Sequence, residues 1–304
     1  MIKVTNLNKI FHHKGKAIVA VDNVTFSIKQ GESVAFIGPN GAGKSTTIKM
    51  LTGILYPTSG EVSILGLSPQ NDRKAVVQQI GAVFGQRSNL LPNLPARDTL
   101  NLFGVMYGLS KEQIKERILH LEQVLDITSF TDQPIRTLSL GQRMRVEIAC
   151  AIIHNPKILF LDEPSIGLDI VAKQALREML GKLRSEQNMT IFLTSHDVGD
   201  IEAVCDRTII VNHGKIVVDE PTSELRRLIN KERRIRLAGI DIPTIEAPGV
   251  TSSSEGAGSK LLHVDTKITD ITTILKTILD KGYTGEIEVL APSLEDVLVG
   301  VYKE

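Results

Sequence analysis

The sequence predicts an α/β protein: a mainly parallel sheet covered on both faces by helices, followed by a small α+β domain. Three observations carry that expectation. Apolar runs at 33–37, 157–162 and 189–194 lack polar alternation and are separated by helical segments, the pattern of parallel strands buried on both faces. The first run leads directly into Gly38-Pro39-Asn40-Gly41-Ala42-Gly43-Lys44-Ser45, which fits G-x-x-x-x-G-K-[ST]. After about Pro221 the composition shifts and a new strand–helix–strand–helix pattern begins.

Along the chain, residues 2–10 and 17–28 alternate apolar with polar and read as antiparallel strands. The glycine-rich loop follows strand 33–37 and opens a helix to about residue 55, with Ile48, Leu51 and Ile54 on its apolar face. A short strand at 60–65 starts a Gly/Pro-rich connection, and 80–84 is a further strand. From about 86 to 155 the character is helical. Ser110-Lys111-Glu112-Gln113 is a capping box, and Ile114, Ile118, Leu121 and Leu125 share one face. Strands at 157–162 and 189–194 flank a helix around 173–184. The first domain is thus expected over 1–220 and a second over 221–304.

In the second part, Arg226, Arg227, Lys231, Arg233, Arg234 and Arg236 form a basic stretch. It reads as the solvated face of a linker helix, with contact to a partner or to lipid headgroups as the alternative, and leads into a strand. A small-residue segment at 247–259 precedes a strand at 261–264, a helix at 268–281, a strand at 286–290 and a helix at 294–302. This part carries no catalytic constellation and is expected to be regulatory or dimer-stabilising.

Composition narrows the function classes. The chain has 304 residues, 42% hydrophobic and 23% charged, enough for a substantial core. Lysine and arginine total 35 against 35 acidic residues, so no global field draws it to nucleic acid, and no nucleic-acid partner is expected. Cys150 and Cys205 sit in apolar surroundings without metal-ligand spacing and read as free buried thiols. No apolar stretch approaches the roughly 18–20 residues of a spanning helix, and Met1-Ile2-Lys3-Val4-Thr5-Asn6 does not read as a signal peptide. Any membrane role is therefore expected from the cytosolic side, through a partner.

The chemistry lies at strand ends. In the 38–45 loop, glycines let the chain turn tightly and aim N–H groups at phosphates, Lys44 offers charge to the β/γ-phosphates, and the Ser45 hydroxyl suits Mg2+. The alternative is a Gly-rich turn with no ligand. Strand 157–162 ends in Asp162 and Glu163. Asp162 would hold Mg2+ and Glu163 would orient or deprotonate an attacking water, unless both are merely acidic turn residues. Strand 189–194 leads to His196, placed to donate to a γ-phosphate oxygen or, alternatively, a structural histidine.

With these residues in order, the chain resembles the nucleotide-binding subunit of an ATP-binding cassette transporter over about residues 1–220. Leu138-Ser139-Leu140-Gly141-Gln142 is similar to the signature L-S-G-G-Q of that family. Gln86 matches its Q-loop glutamine, Ser165-Ile166-Gly167-Leu168-Asp169 its D-loop, and His196 its switch histidine. Phe11 stands where the family has an aromatic on adenine; packing on the core, or stacking by His12 or His13, are the alternatives. No N-K-x-D guanine-reading motif is present, which disfavours a GTPase.

The resemblance implies an ABC ATPase fold: a parallel-sheet core, an antiparallel β subdomain and a helical signature subdomain at about 86–155. It implies ATP and Mg2+ as ligands. Residues 38–45 with Thr46, Ser139, Leu140, Gly141, Gln142, Asp169 and Phe11 would contact ATP. Ser45, Gln86 and Asp162 would hold the metal, and Glu163, His196 and Gln86 would serve catalysis. Ser139 and Gly141 at a helix N-terminus make a second phosphate site, which the family completes by head-to-tail pairing with a second copy or a related chain. Leu140 replaces the first signature glycine, so its side chain must point away from phosphate. The segment Phe84-Gly85-Gln86-Arg87-Ser88, the run Leu90 to Pro95 and the ending Ser293-Leu294-Glu295-Asp296-Val297-Leu298 resemble ATPases of drug, viologen, antibiotic or polysaccharide exporters with separate permeases. Residues between Gln86 and Leu102 would receive a permease helix at the cytoplasmic face of the membrane. The alternatives are a soluble family member in translation or DNA repair, and a low-turnover nucleotide sensor.

Overall fold

The computed structural model describes residues 1–13, 15–85, 88–228, 232–254, 258–266 and 268–290. Gln86, Arg87, Lys231, the ending Ser293–Leu298 and the helix expected at 294–302 lie outside the described residues. The chain divides into two compact units, Met1–Thr222 and Ser223–Glu304.

The first unit opens with β1 (Ile2–His13) and β2 (Lys16–Ile28), paired antiparallel. β1 runs three residues past the expected end, because its ladder with β2 continues through Phe11↔Ile18 and His12↔Ala17. β3 (Ser33–Ile37) then feeds α1 (Lys44–Leu51), which stops at Gly53 in the left-handed region (φ 70°), short of the expected residue 55. β4 (Ser59–Ile64) returns to β1, so this layer has the order β2-β1-β4. A short α2 (Arg73–Val77), not expected from the sequence, precedes β5 (Ile80–Phe84).

The helical part holds α3 (Ala96–Met106), α4 (Lys111–Val124) and α5 (Leu140–Ile152). The chain continues as β6 (Ile158–Asp162), α6 (Ile170–Gln187), β7 (Thr190–Thr194), α7 (Val198–Val204), β8 (Arg207–Asn212) and β9 (Lys215–Pro221). α6 starts earlier than the expected 173 because Asp169 caps it, its carboxylate accepting from the Ala172 N–H at 2.8 Å.

The central sheet runs β5-β6-β7-β3-β8-β9, parallel from β5 to β8 and antiparallel at β9. β6, β7 and β3 are neighbours, so the carboxyl ends carrying Asp162, Thr194 and Ile37 open onto one edge. That edge is where open α/β sheets bind ligands. Phe36, Phe160 and Phe192 come from the same three strands. Phe36 and Phe160 pack on Phe192 with ring centroids 5.3 and 5.6 Å apart, and Phe26 of β2 lies 5.7 Å from Phe36. Strand spacing beneath the site is thereby fixed by buried aromatic rings, at separations where ring pairs attract.

The second unit begins within α8 (Thr222–Leu228), one residue after its start, and holds β10 (Glu232–Ala238), β11 (Val250–Ser254), β12 (Ser259–Asp265), α9 (Ile271–Asp280) and β13 (Glu286–Leu290). The sheet order is β11-β12-β10-β13, all antiparallel. Two expectations are corrected here. Arg233, Arg234 and Arg236 belong to a strand and not to a linker helix: Ile235 and Leu237 alternate with Arg234 and Arg236 and are fully buried, so the period is two. Part of the small-residue segment 247–259 is β11, whose register with β12 runs from Val250↔Val264 to Ser254↔Lys260. Ile235, Leu237, Leu262, Val264, Ile274 and Ile278 form this unit's core. Among the described residues no helix is long and apolar enough to cross a membrane.

Candidate active site

The loop between β3 and α1 has glycine where geometry requires it. Gly43 adopts φ 102°, and a Cβ there would lie 2.3 Å from the Ala20 carbonyl oxygen; at Gly38 it would lie 2.2 Å from that of Val211. A side chain at either place would force the loop off its neighbours. Gly43 is the N-cap of α1 and no side chain caps that helix, so its first N–H groups face the cleft without a side-chain acceptor. Lys44 is buried and its ammonium donates to the carbonyls of Gly38 (2.6 Å) and Pro39 (3.3 Å). Burial lowers its pKa, opposed by the nearby carboxylates of Glu163 and Asp162.

The acidic strand end sits opposite. Asp162 Oδ1 accepts from Thr194 Oγ1 at 2.7 Å and from Ser45 Oγ at 3.4 Å, which ties the ends of β6 and β7 to the start of α1. Glu163 takes a left-handed conformation (φ 56°) that costs a non-glycine residue about 1 kcal/mol. Its N–H donates to both the hydroxyl and the carbonyl of Thr194, at 3.1 Å each, and so the turn is held. One carboxylate oxygen, Oε2, accepts from the His196 N–H at 3.2 Å. The other, Oε1, is buried 3.1 Å from His196 Nε2 but outside hydrogen-bond geometry, and so has no hydrogen-bond partner of its own. Burial raises the Glu163 pKa, offset by His196 and Lys44 and reinforced by Asp162. His196 Nε2 also lies 3.4 Å from Lys44 Nζ.

Lys44, Ser45, Glu163 and His196 line one open cleft of about 440 Å3, together with Ala20, Asn40, Gly41, Gly43, Thr46 and Ile166, and Asp162 lies behind the Ser45 hydroxyl. That volume is within the range of small-molecule sites. A cation, a strand-end carboxylate with an unpaired oxygen, a hydroxyl–carboxylate pair and free helix N–H groups converge there. Together they can hold a polyphosphate and take a proton from water.

Other expected residues lie elsewhere. Ser139 is the N-cap of α5, its hydroxyl accepting from Gln142 N–H at 3.2 Å while Gln142 Oε1 accepts from Ser139 N–H at 2.9 Å. Leu140 is half exposed, with Cδ2 beside Gly167. A Cβ at Gly141 would lie 2.8 Å from the Ala172 Cβ, so glycine here permits α5 to approach α6. Asp169 serves as the cap of α6. Phe11 is 39% exposed on β1, does not line the cleft, and has Lys9 Nζ 5.2 Å from its ring centroid. Both cysteines are buried free thiols.

Sequence reasoning missed Ala20 and Thr194, and named Ile166 within the D-loop segment without placing it at the cleft. Thr194 was legible in principle, since aligning the two strand ends sets it beside Asp162. Ala20 reaches the cleft only through the β2 ladder, and no local pattern marks it.

A family model described as "ABC transporter" matches residues 21–166. The chain is 35% identical over 217 residues to the ABC transporter ATP-binding protein NatA of Bacillus subtilis, covering 71% of this chain and 88% of that one. It is 32% identical over 238 residues to the bacitracin transport ATP-binding protein BcrA of Bacillus licheniformis, covering 78% and 75%. Among solved structures it is similar to an ATP-binding cassette captured as a dimer in a post-hydrolysis state with ADP and Pi. The TM-score is 0.66 at 31% identity, over 73% of this chain and 99% of that one.

Proposed function

The chain belongs to the ABC transporter ATP-binding family, and from that premise we propose that it hydrolyses ATP to drive a separate membrane permease, in the direction of export. Two chains, either two copies or this chain and a relative, would pair head to tail. The Ser139–Gln142 segment of each would close on the triphosphate held by the other, so that hydrolysis removes the shared phosphate and lets the pair part. Each chain would act at the cytoplasmic face of the membrane, meeting the permease through residues 86–102.

The roles follow from the strand ends. The 38–46 loop and the α1 N–H groups hold the phosphates, and Lys44 balances their charge. Glu163 takes a proton as water attacks the γ-phosphorus and the bond to the β-bridging oxygen breaks, with ADP leaving. A base with a raised pKa suits that task, because its affinity for a proton comes closer to working pH. His196 donates to a γ-oxygen. Magnesium fits beside Ser45 and Asp162, whose oxygens already face each other at 3.4 Å, with Gln86 as third contributor; it would neutralise charge on the β/γ oxygens. Phe11 is left without support as the adenine contact.

The single observation that carries this proposal is the convergence of Lys44 at the start of α1 with Glu163 and His196 from adjacent strand ends on one cleft, with Asp162 bonded to its Ser45 wall. Export is supported by the resemblance of the 84–95 segment and by a relative described as a Nod factor export ATP-binding protein. Glu163→Gln tests the proposal: the variant should keep ATP binding and release phosphate about 100-fold more slowly or worse. Normal turnover would assign the base to another group.

A further inference from the structure

Behind His196 lies a charged cluster that the proposed chemistry does not use. Arg177, on α6, donates from Nε to Asp200 Oδ1 at 2.7 Å and from Nη2 to Asp197 Oδ1 at 2.8 Å. Asp200 is buried, and its second oxygen accepts from Ser195 Oγ at 2.9 Å. Ser195 Oγ in turn accepts from Asp197 N–H at 3.0 Å. The residues on both sides of His196 are therefore tied to one guanidinium, with the Lys173 ammonium on the second oxygen of Asp197 at 2.5 Å, whereas the half-exposed imidazole has polar contacts, among the described residues, with Glu163 and Lys44.

We infer that Arg177 is a positioning residue for His196, fixing the turn that aims the imidazole into the nucleotide cleft. Two features favour this over mere stabilisation. Taking a carboxylate and a guanidinium out of water returns little net stability, so such a cluster is better explained by the geometry it imposes. In addition, a Cβ at Gly199 would fall 2.6 Å from Arg177 Nη2. Glycine at 199 is what admits the guanidinium to the backbone of α7. The cluster also joins the turn to α6, which begins at Asp169 in the D-loop segment.

The inference rests on the proposed role of His196 in turnover, and the test separates the two. Steady-state Mg-ATP hydrolysis by the full-length chain is measured for Arg177→Ala, Arg177→Lys, Gly199→Ala, His196→Ala and the His196→Ala/Arg177→Ala pair. Arg177→Ala should lower kcat by about 10-fold to 100-fold, the scale of an ångström-level misplacement, with KM for ATP within about twofold. Arg177→Lys should recover part of the loss. Gly199→Ala, which removes no functional group and crowds only the Arg177 guanidinium, should lower kcat by a smaller factor with KM unchanged. It carries the test if Arg177→Ala does not fold. The pair should be no slower than His196→Ala alone. Wild-type kcat in folded Arg177→Ala or Gly199→Ala overturns the inference, as does an equal Arg177→Ala loss with and without His196. Normal turnover in His196→Ala would instead remove the premise.

Discussion

Helices α4 and α5 begin with the same device. In α4, Ser110 accepts from Gln113 N–H at 3.2 Å and Gln113 Oε1 accepts from Ser110 N–H at 2.8 Å; in α5 the corresponding distances for Ser139 and Gln142 are 3.2 and 2.9 Å. Beyond a further donation from Ser110 Oγ to Glu112 Oε2 at 2.9 Å, local geometry cannot tell them apart. Their surroundings can. α5 starts with a half-exposed Leu140 against Gly167, and with a glycine that lets α6 approach closely. α4 starts on a polar surface where Lys111, Glu112 and Gln113 are exposed. One capping box satisfies a helix end. The proposed function asks the other to do that in the single chain and then to meet a neighbour's triphosphate. α1 differs from both, since no side chain competes for its N-terminal amides.

The largest effect expected is on the chemistry that makes this contrast visible. Glu163→Gln should slow phosphate release by about two orders of magnitude or more, within the usual contribution of a general base, and so let ATP-bound pairs accumulate. Next, Ser139→Arg should reduce turnover by about 10-fold to 1,000-fold, the scale of losing a phosphate-facing donor, while Ser110→Arg leaves turnover unchanged. Equal losses at the two serines would erase the distinction between the two boxes.

A third prediction concerns pH. The raised Glu163 pKa means that the folded chain holds the proton to a higher pH than an ordinary glutamate would. The acidic limb of kcat/KM, which reports the free enzyme, should accordingly lie above the usual carboxylate range, with activity rising as pH rises through it. Glu163→Gln should abolish that limb, and its persistence in the residual activity would point to a different titrating group. The smallest effect is on stability. Ser110→Ala and Ser139→Ala should each lose about 1 kcal/mol, seen as a Tm decrease of roughly 2–4 °C, with only the second also slowing turnover.

What the sequence revealed was chiefly what local rules control. Strands 80–84 and 286–290 end where the apolar pattern ends, and the capping box at Ser110 is readable from Ser-x-x-Gln; the one at Ser139 has the same spacing but reads in the sequence only as a phosphate-facing helix start. The cleft residues Lys44, Ser45, Asp162, Glu163 and His196 were legible because each follows directly on an apolar strand or its loop. Elements set by pairing alone were not. β11 is a serine-rich segment with four exposed residues, and β12 supplies its reason for being a strand. α7 is only seven residues long, and Asp197 supplies the cap that starts it. The arginines of β10 read as a helix face because only two apolar residues, Ile235 and Leu237, mark the strand period within the basic run. The Arg177–Asp197–Asp200 cluster joins residues about 20 apart through two helices, and no spacing rule marks it.

The most direct test of pairing through α5 is the solution mass of Glu163→Gln with and without ATP, measured also with Ser110→Arg or Ser139→Arg added. ATP should bring Glu163→Gln and its Ser110→Arg derivative to the mass of two chains and leave the Ser139→Arg derivative at one. ATP-dependent doubling of all three, or of none while ATP stays bound, would contradict the account.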